Sequence, residues 1–258
     1  MANEENEVTD SQDPGKKEHR LVRLIKSVVE NPVKGNRIDE SVVKFRYFNS
    51  FNYTALAGSG QDVNLTLGIT SANRGEGKTL VACNLAVSLA MGFQKKTILV
   101  DLNFAKPRVH DIFGLANGPG LAEAFTNGAI HVSRTSVEHL YVLNSGVVPL
   151  FHDTGSPTAQ ASPAPRGRGR LKPLLGLDQL TAFRDVIYSL EQEFDFVIVD
   201  MPSAVSDEIP VLFIGQLNGL LVVVDSGKTR KEDLDNMFQK INPHQVLGFV
   251  FNRLDEKG

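Results

Sequence analysis

Gly75, Gly77, Lys78 and Thr79 sit between an apolar run and a helix-like pattern, in the stretch ITSANRGEGKTLVACNLAVSLA. Glycines at this spacing let the backbone bend until several N–H groups point at one anion. The start of the following helix adds the positive end of its dipole. A lysine at this place bridges β- and γ-phosphates, and a threonine hydroxyl after it is a ligand for Mg²⁺. The stretch Asn73, Arg74, Gly75, Glu76, Gly77, Lys78 and Thr79 is therefore read as a loop for ATP or ADP. The general pattern is glycine, four residues, glycine, lysine, then serine or threonine; Ala72 stands in place of its first glycine. The competing reading is a glycine-rich strand–helix turn without a ligand. The order of strand, loop, Lys-Thr and helix favours the phosphate.

A loop of this kind needs a carboxylate on another strand to hold Mg²⁺, in part through water. Asp101 ends the run KTILVD and Asp200 ends FDFVIVD. Each follows an apolar strand, so each should emerge at the same sheet edge as the loop. Either could instead be a helix N-cap or turn residue, roles that aspartate favours. Together, beside this loop, they point to Mg²⁺, with Thr79, Asp101 and Asp200 as its candidate ligands. The six histidines do not cluster at metal-ligand spacing, and the single cysteine, Cys83, reads as a small core residue. A zinc site or a thiol protease has no support. One cysteine permits no internal disulfide, which fits a reducing compartment.

The elements that must position these residues are strands of one kind. LTLGIT (65–70), KTILVD (96–101), FDFVIVD ending at Asp200, GLLVVVD (219–225) and VLGFVFN (246–252) are continuous apolar runs. Unalternating runs suit strands covered on both faces, and the segments between them are long enough for crossover helices. The predicted fold is α/β: a doubly wound, mostly parallel sheet flanked by helices, with ligands at the carboxyl ends of the strands. Residues 1–20 are polar and charged and read as a disordered tail. Residues 21–37 read as an N-terminal docking helix, with Leu21, Leu24, Ile25, Val28 and Val29 at helical spacing, and a linker. The nucleotide-binding domain spans 38–258, opening on a helix over 38–57 and interrupted by a Pro-, Gly-, Ser- and Ala-rich insertion at 152–170. With 258 residues and a net charge of −3, composition gives no sign of a nucleic-acid partner. No apolar run approaches the roughly 20 residues that a bilayer needs. The expected location is cytoplasmic, unless a partner recruits the chain to a membrane.

TSANRGEGKT, ILVDLNFAKP, FDFVIVDMPSAVSD and GLLVVVDSGKTRKEDL together resemble the cytosolic domain of the bacterial tyrosine kinases of capsule and exopolysaccharide synthesis. These belong to a wider group of P-loop ATPases that place division sites and partition chromosomes. That group's signature lysine is absent, since positions 71–74 are Ser, Ala, Asn and Arg, and this favours the kinase branch. The resemblance implies that Lys78 and Thr79 bind phosphate and metal. It implies that Asp101 lies near the metal and can accept the tyrosine proton, and that Asp200 orders the metal's water shell. It places Asn252 against the adenine base, where its amide can offer both a donor and an acceptor; a strand-terminating turn residue is the alternative. Asp207 and Arg253 are then lesser candidates on the base side.

The chain also departs from that family. Its second motif normally continues with an aspartate, an arginine and a lysine, where this chain has Asn103, Ala105 and Lys106. Loss of one carboxylate beside a phosphoryl-transfer centre removes about 3 kcal/mol of transition-state stabilisation. Nucleotide binding should survive better than transfer. The family's C-terminal tyrosine cluster has no counterpart: the four tyrosines are Tyr47, Tyr53, Tyr141 and Tyr188. Of the ring-forming glutamate and two arginines, Glu40 and Arg46 remain and Val43 replaces the third. Lys44 points about 100° away on a helix. Glu40 and Arg46 could equally be solvated surface charges. The sequence thus implies an ATP-binding regulator of a membrane polysaccharide co-polymerase, with weak or partner-dependent self-association. An active protein-tyrosine kinase is the first alternative and a partitioning-type ATPase the second.

Overall fold

The computed structural model describes residues 28–29, 64–147, 176–204 and 211–253. The expected tail at 1–20, the helix at 38–57 with Glu40 and Arg46, the insertion at 152–170 and Asp207 lie outside the described residues.

The strands are β1 (Val28–Val29), β2 (Leu65–Ser71), β3 (Thr97–Asp101), β4 (Val132–Arg134), β5 (Leu140–Leu143), β6 (Phe196–Asp200), β7 (Gly219–Asp225) and β8 (Val246–Asn252). They form one sheet in the order β1-β4-β5-β3-β6-β2-β7-β8. Every pairing is parallel except β4 with β5. The five strands expected from apolar runs are all present. β4 and β5 went unread because runs of 3 and 4 residues carry too little period. Val28 and Val29 correct the expectation of a helix there, since they pair with Val132 and Ser133 as an added strand. Both are β-branched, and β4 offers an unpaired backbone edge that a strand satisfies.

The helices are α1 (Lys78–Val87), α2 (Val109–Phe113), α3 (Leu121–Asn127), α4 (Leu177–Glu191), α5 (Val211–Ile214) and α6 (Lys231–Phe238). A π-helical turn, Ser88–Gly92, continues α1. The sheet separates two apolar cores. On one face, α1, its π-helical turn and α2 pack Val81, Leu85, Leu89 and Phe113 against Leu67, Leu99 and Ile198. On the other, Phe183 and Ile187 of α4, Phe213 of α5 and Met237 of α6 lie over Val197, Val199 and Val222. β2, β3, β6 and β7 are buried along their whole length, as expected for strands covered on both faces. The two-sided burial fixes the register, and the register decides which strand ends stand side by side. No helix among the described residues is long and apolar enough to cross a membrane.

Candidate functional site

β2 is central, flanked by β6 and β7, and ends at Ser71 beneath the glycine loop. The loop turns through left-handed backbone at Gly75 (φ 83°) and Gly77 (φ 94°), a region that costs glycine little. Helix α1 then begins at Lys78. No side chain caps it at Gly77, and its first turn holds no acidic residue. An anion at this end would therefore meet the positive end of the helix dipole. Lys78 is buried to 8% exposure at the base of the loop.

The two aspartates meet where the sheet register puts them. Asp101 at the end of β3 is directly opposite Asp200 at the end of β6, and Ile69 of β2 is opposite Asp200 on its other side. The Thr79 hydroxyl donates to Asp200 Oδ2 at 2.6 Å. Asp200 Oδ1 is buried with no hydrogen-bond partner. Burial, then the charge of Asp101, pushes the Asp200 carboxyl well above the usual range; the Thr79 hydroxyl and the nearby Lys78 charge pull the other way. A carboxyl oxygen buried and unpaired beside a threonine hydroxyl fits a Mg²⁺ ion or its water shell, whose charge would favour the ionised form. Among the described residues no group of three His, Cys, Asp or Glu could hold a metal alone. Phosphate oxygens and water would complete the shell, as is usual for Mg²⁺.

Asp101 is placed differently from Asp200. Its Oδ1 accepts the Asn103 N–H at 3.0 Å, and its Oδ2 accepts the N–H groups of Arg108 and Val109 at 3.2 Å each. It therefore shapes the loop from β3 into α2 as well as facing Asp200. Burial raises its carboxyl and these three backbone donors lower it, with a net rise. Asn103 turns its Oδ1 onto the Lys106 N–H at 3.3 Å, closing the turn that follows. Cys83 is fully buried in the α1 core. Burial, then the charges of Asp200 and Asp101, pushes its thiol well up, so it packs as the small apolar residue expected.

Asn252 reaches the loop rather than projecting clear of it. Its Nδ2 donates to the Glu76 carbonyl at 2.9 Å, and its Oδ1 accepts the Arg253 N–H at 3.0 Å. Both halves of the amide that would match an adenine are engaged within the chain. A Cβ on Gly77 would collide with this amide, so glycine is needed there for close approach as well as for φ. Arg253 crosses the loop from outside. It donates to the Gly75 carbonyl at 3.0 Å and forms an ion pair with Asp225. Two loop neighbours escaped the sequence reading. Asp225 carries the same signal as Asp101 and Asp200, an aspartate ending an apolar strand. Thr229 carries none. Its hydroxyl donates to Glu76 Oε1 at 2.5 Å, a contact between residues 153 apart in the chain.

A doubly wound sheet whose central strand feeds a phosphate loop, with two aspartates on adjacent strand ends, defines a P-loop nucleotide-binding protein of the α/β class. No family model matches the chain. It is 30% identical over 217 residues to the tyrosine-protein kinase CpsD of Streptococcus pneumoniae, which covers 81% of this chain and 84% of that protein. The solved structure of the chimerical protein CapA2B2 is similar at a TM-score of 0.61 and 27% identity, over 83% of this chain and 84% of that one. The septum site-determining protein MinD of Pyrococcus horikoshii OT3, solved with Mg-ADP, has a TM-score of 0.50 at 19% identity over 73% of this chain and 70% of that one. At that identity the likeness is one of fold. Within the P-loop class, the chain belongs to the family of bacterial tyrosine-protein kinases that accompany capsule and exopolysaccharide synthesis.

Proposed function

We propose that this chain binds Mg·ATP and Mg·ADP at the 73–79 loop and acts as a nucleotide-dependent regulator of a membrane polysaccharide co-polymerase, with weak or no autophosphorylation. One contrast carries this reading. The Thr79 hydroxyl lies on Asp200 at 2.6 Å beside the glycine loop, while Asn103, where the family keeps an aspartate, closes a local turn. In this reading the loop amides and Lys78 hold the phosphates. Thr79 would hold Mg²⁺, with Asp101 and Asp200 acting on it in part through its water shell. The metal would neutralise charge developing on the transferred phosphoryl group. The Mg-ADP complex of the MinD structure, a neighbour in fold, supports the choice of ligand. The regulator works in the cytoplasm, recruited to the membrane by its partner. It self-associates weakly through the Glu40 and Arg46 helix and takes no nucleic acid.

The second reading, an active kinase passing phosphate from ATP to protein tyrosine, is favoured by the 30% identity to CpsD and by Asp101, whose raised carboxyl suits a proton acceptor. Single-turnover ATP consumption distinguishes the two. Wild type should turn over slowly, and Asn103→Asp should be faster by about tenfold or more, roughly 1.4 kcal/mol of barrier. Equal rates, with phosphotyrosine appearing on a partner protein, would favour the active kinase.

A further inference from the structure

Glu76 puts a carboxylate in the middle of a loop that otherwise gathers donors for an anion. Its side chain is buried, held on one side by Asn73 of the loop itself and on the other by Thr229 of the β7–α6 turn. Oε2 accepts the Asn73 N–H at 3.0 Å. Oε1 accepts the Thr229 hydroxyl at 2.5 Å and, more weakly, Asn73 Nδ2 at 3.4 Å. The Thr229 hydroxyl in turn accepts the Asp225 N–H at 2.9 Å. Its one proton is therefore committed to Glu76. Thr229 itself is pinned, because its N–H donates to the Asp225 carbonyl at 2.9 Å. Asp233 in the first turn of α6 has its carboxyl held below the usual range, first by the Arg230 N–H and then by the Asn73 side chain.

We infer that Thr229 is a positioning residue for phosphate binding. Its hydroxyl holds the Glu76 carboxylate against the β7–α6 turn, so that this negative charge stays away from the bound phosphates and the loop keeps its shape. Without the hydroxyl, Oε1 retains only the long Asn73 amide contact. A buried carboxylate short of donors moves toward water, here the mouth of the loop, where it repels an anion. Threonine serves because a single side chain both accepts from Asp225 and donates to Glu76. Serine could do the same and valine could not. The inference rests on the loop being a nucleotide site.

The test is calorimetry of the full chain with Mg·ADP and with inorganic pyrophosphate, on wild type, Thr229→Val and Thr229→Ser, beside melting curves of each ligand-free protein. Thr229→Val should weaken both ligands by the same factor, roughly tenfold or more, since the loss falls on the phosphate contacts and not on the base. Thr229→Ser should stay within about threefold of wild type. Should valine prevent folding, Thr229→Ala is expected to give the same loss. A residue that only supports the fold would lower the melting temperature and leave the affinity of the folded protein alone. Wild-type affinity in both hydroxyl-less variants overturns the inference and leaves the nucleotide site standing. A serine variant as weak as the valine one overturns it also. No binding of either ligand by wild type overturns both.

Discussion

Asp200 shows how far placement can change an ordinary side chain. In the unfolded chain it is a common carboxylic acid; in the fold it is enclosed and faces Asp101 across two strand ends. Folding lifts the Asp101 carboxyl to about 6 and the Asp200 carboxyl to about 8, burial being the first cause for both. The folded protein thus binds protons that the unfolded chain has released. The stability this supplies is fully present below the usual carboxylate range near pH 4 and fades as pH rises through about 6 to 8. The ligand-free protein should therefore melt lower at pH 8 than at pH 5.5, and Asp200→Asn should flatten the slope. Mg·ADP, binding the ionised pair, should stabilise most at the alkaline end. Melting curves across this range check it, and an equal slope in Asp200→Asn would sink the account. Asn103 belongs with these residues: an amide at that place closes a turn and brings no third charge to the pair.

Among the elements, α4 carries much of the core on the sheet face opposite α1. Phe183 is fully buried, with its ring centroid 5.1 Å from that of Phe213 and 6.4 Å from that of Phe125. These rings join α4 to α5 and α3, none of which contributes a residue to the phosphate loop. Phe183→Ala leaves a large void and should cost about 3–5 kcal/mol, read as a lower urea midpoint at unchanged slope. The affinity of the remaining folded protein for Mg·ADP should not change. A cost under about 1 kcal/mol would mean that the site collapses readily and that the aromatic cluster is not what fastens α4. The contrast with β7 and β8 is informative. Their carboxyl ends supply Asp225, Asn252 and Arg253 to the loop, so changes in those strands should be felt in affinity before they are felt in stability.

For the molecule as a whole, the consequence of the proposed function is a switch. A ligand shifts a conformational equilibrium only by its different affinity for the two states. The γ-phosphate and its metal are the natural discriminators, because Asp101, Asn103 and Asp200 all lie at the carboxyl ends of β3 and β6, beside the loop. Pull-down of the cytosolic end of the membrane co-polymerase should be strongest in ATP, weaker in ADP and weakest without nucleotide. Equal recovery in all three conditions would remove the switch and leave the nucleotide as a structural ligand or a consumed substrate.

The parts of this protein that depend on neighbouring residues could be read directly from the chain. The phosphate loop is a run of seven positions whose meaning lies in its own backbone freedom and charge, and the five long strands announce two-sided burial by their unbroken apolar character. Asp101 and Asp200 could be picked out because each ends such a strand. Contacts between distant segments could not be read in this way. Nor does any pattern in the chain encode how the β3–α2 loop folds back to put three backbone donors on Asp101, while Asp200 on the next strand keeps an unpaired oxygen. β1, β4 and β5 are too short to show a period, and Val28 and Val29 became a strand because an unpaired edge was there to satisfy. The Glu76–Thr229 contact spans 153 residues. Only the packing of β7 beside β2 brings those two side chains together, since a hydrogen bond depends on separation in space and not on separation along the chain.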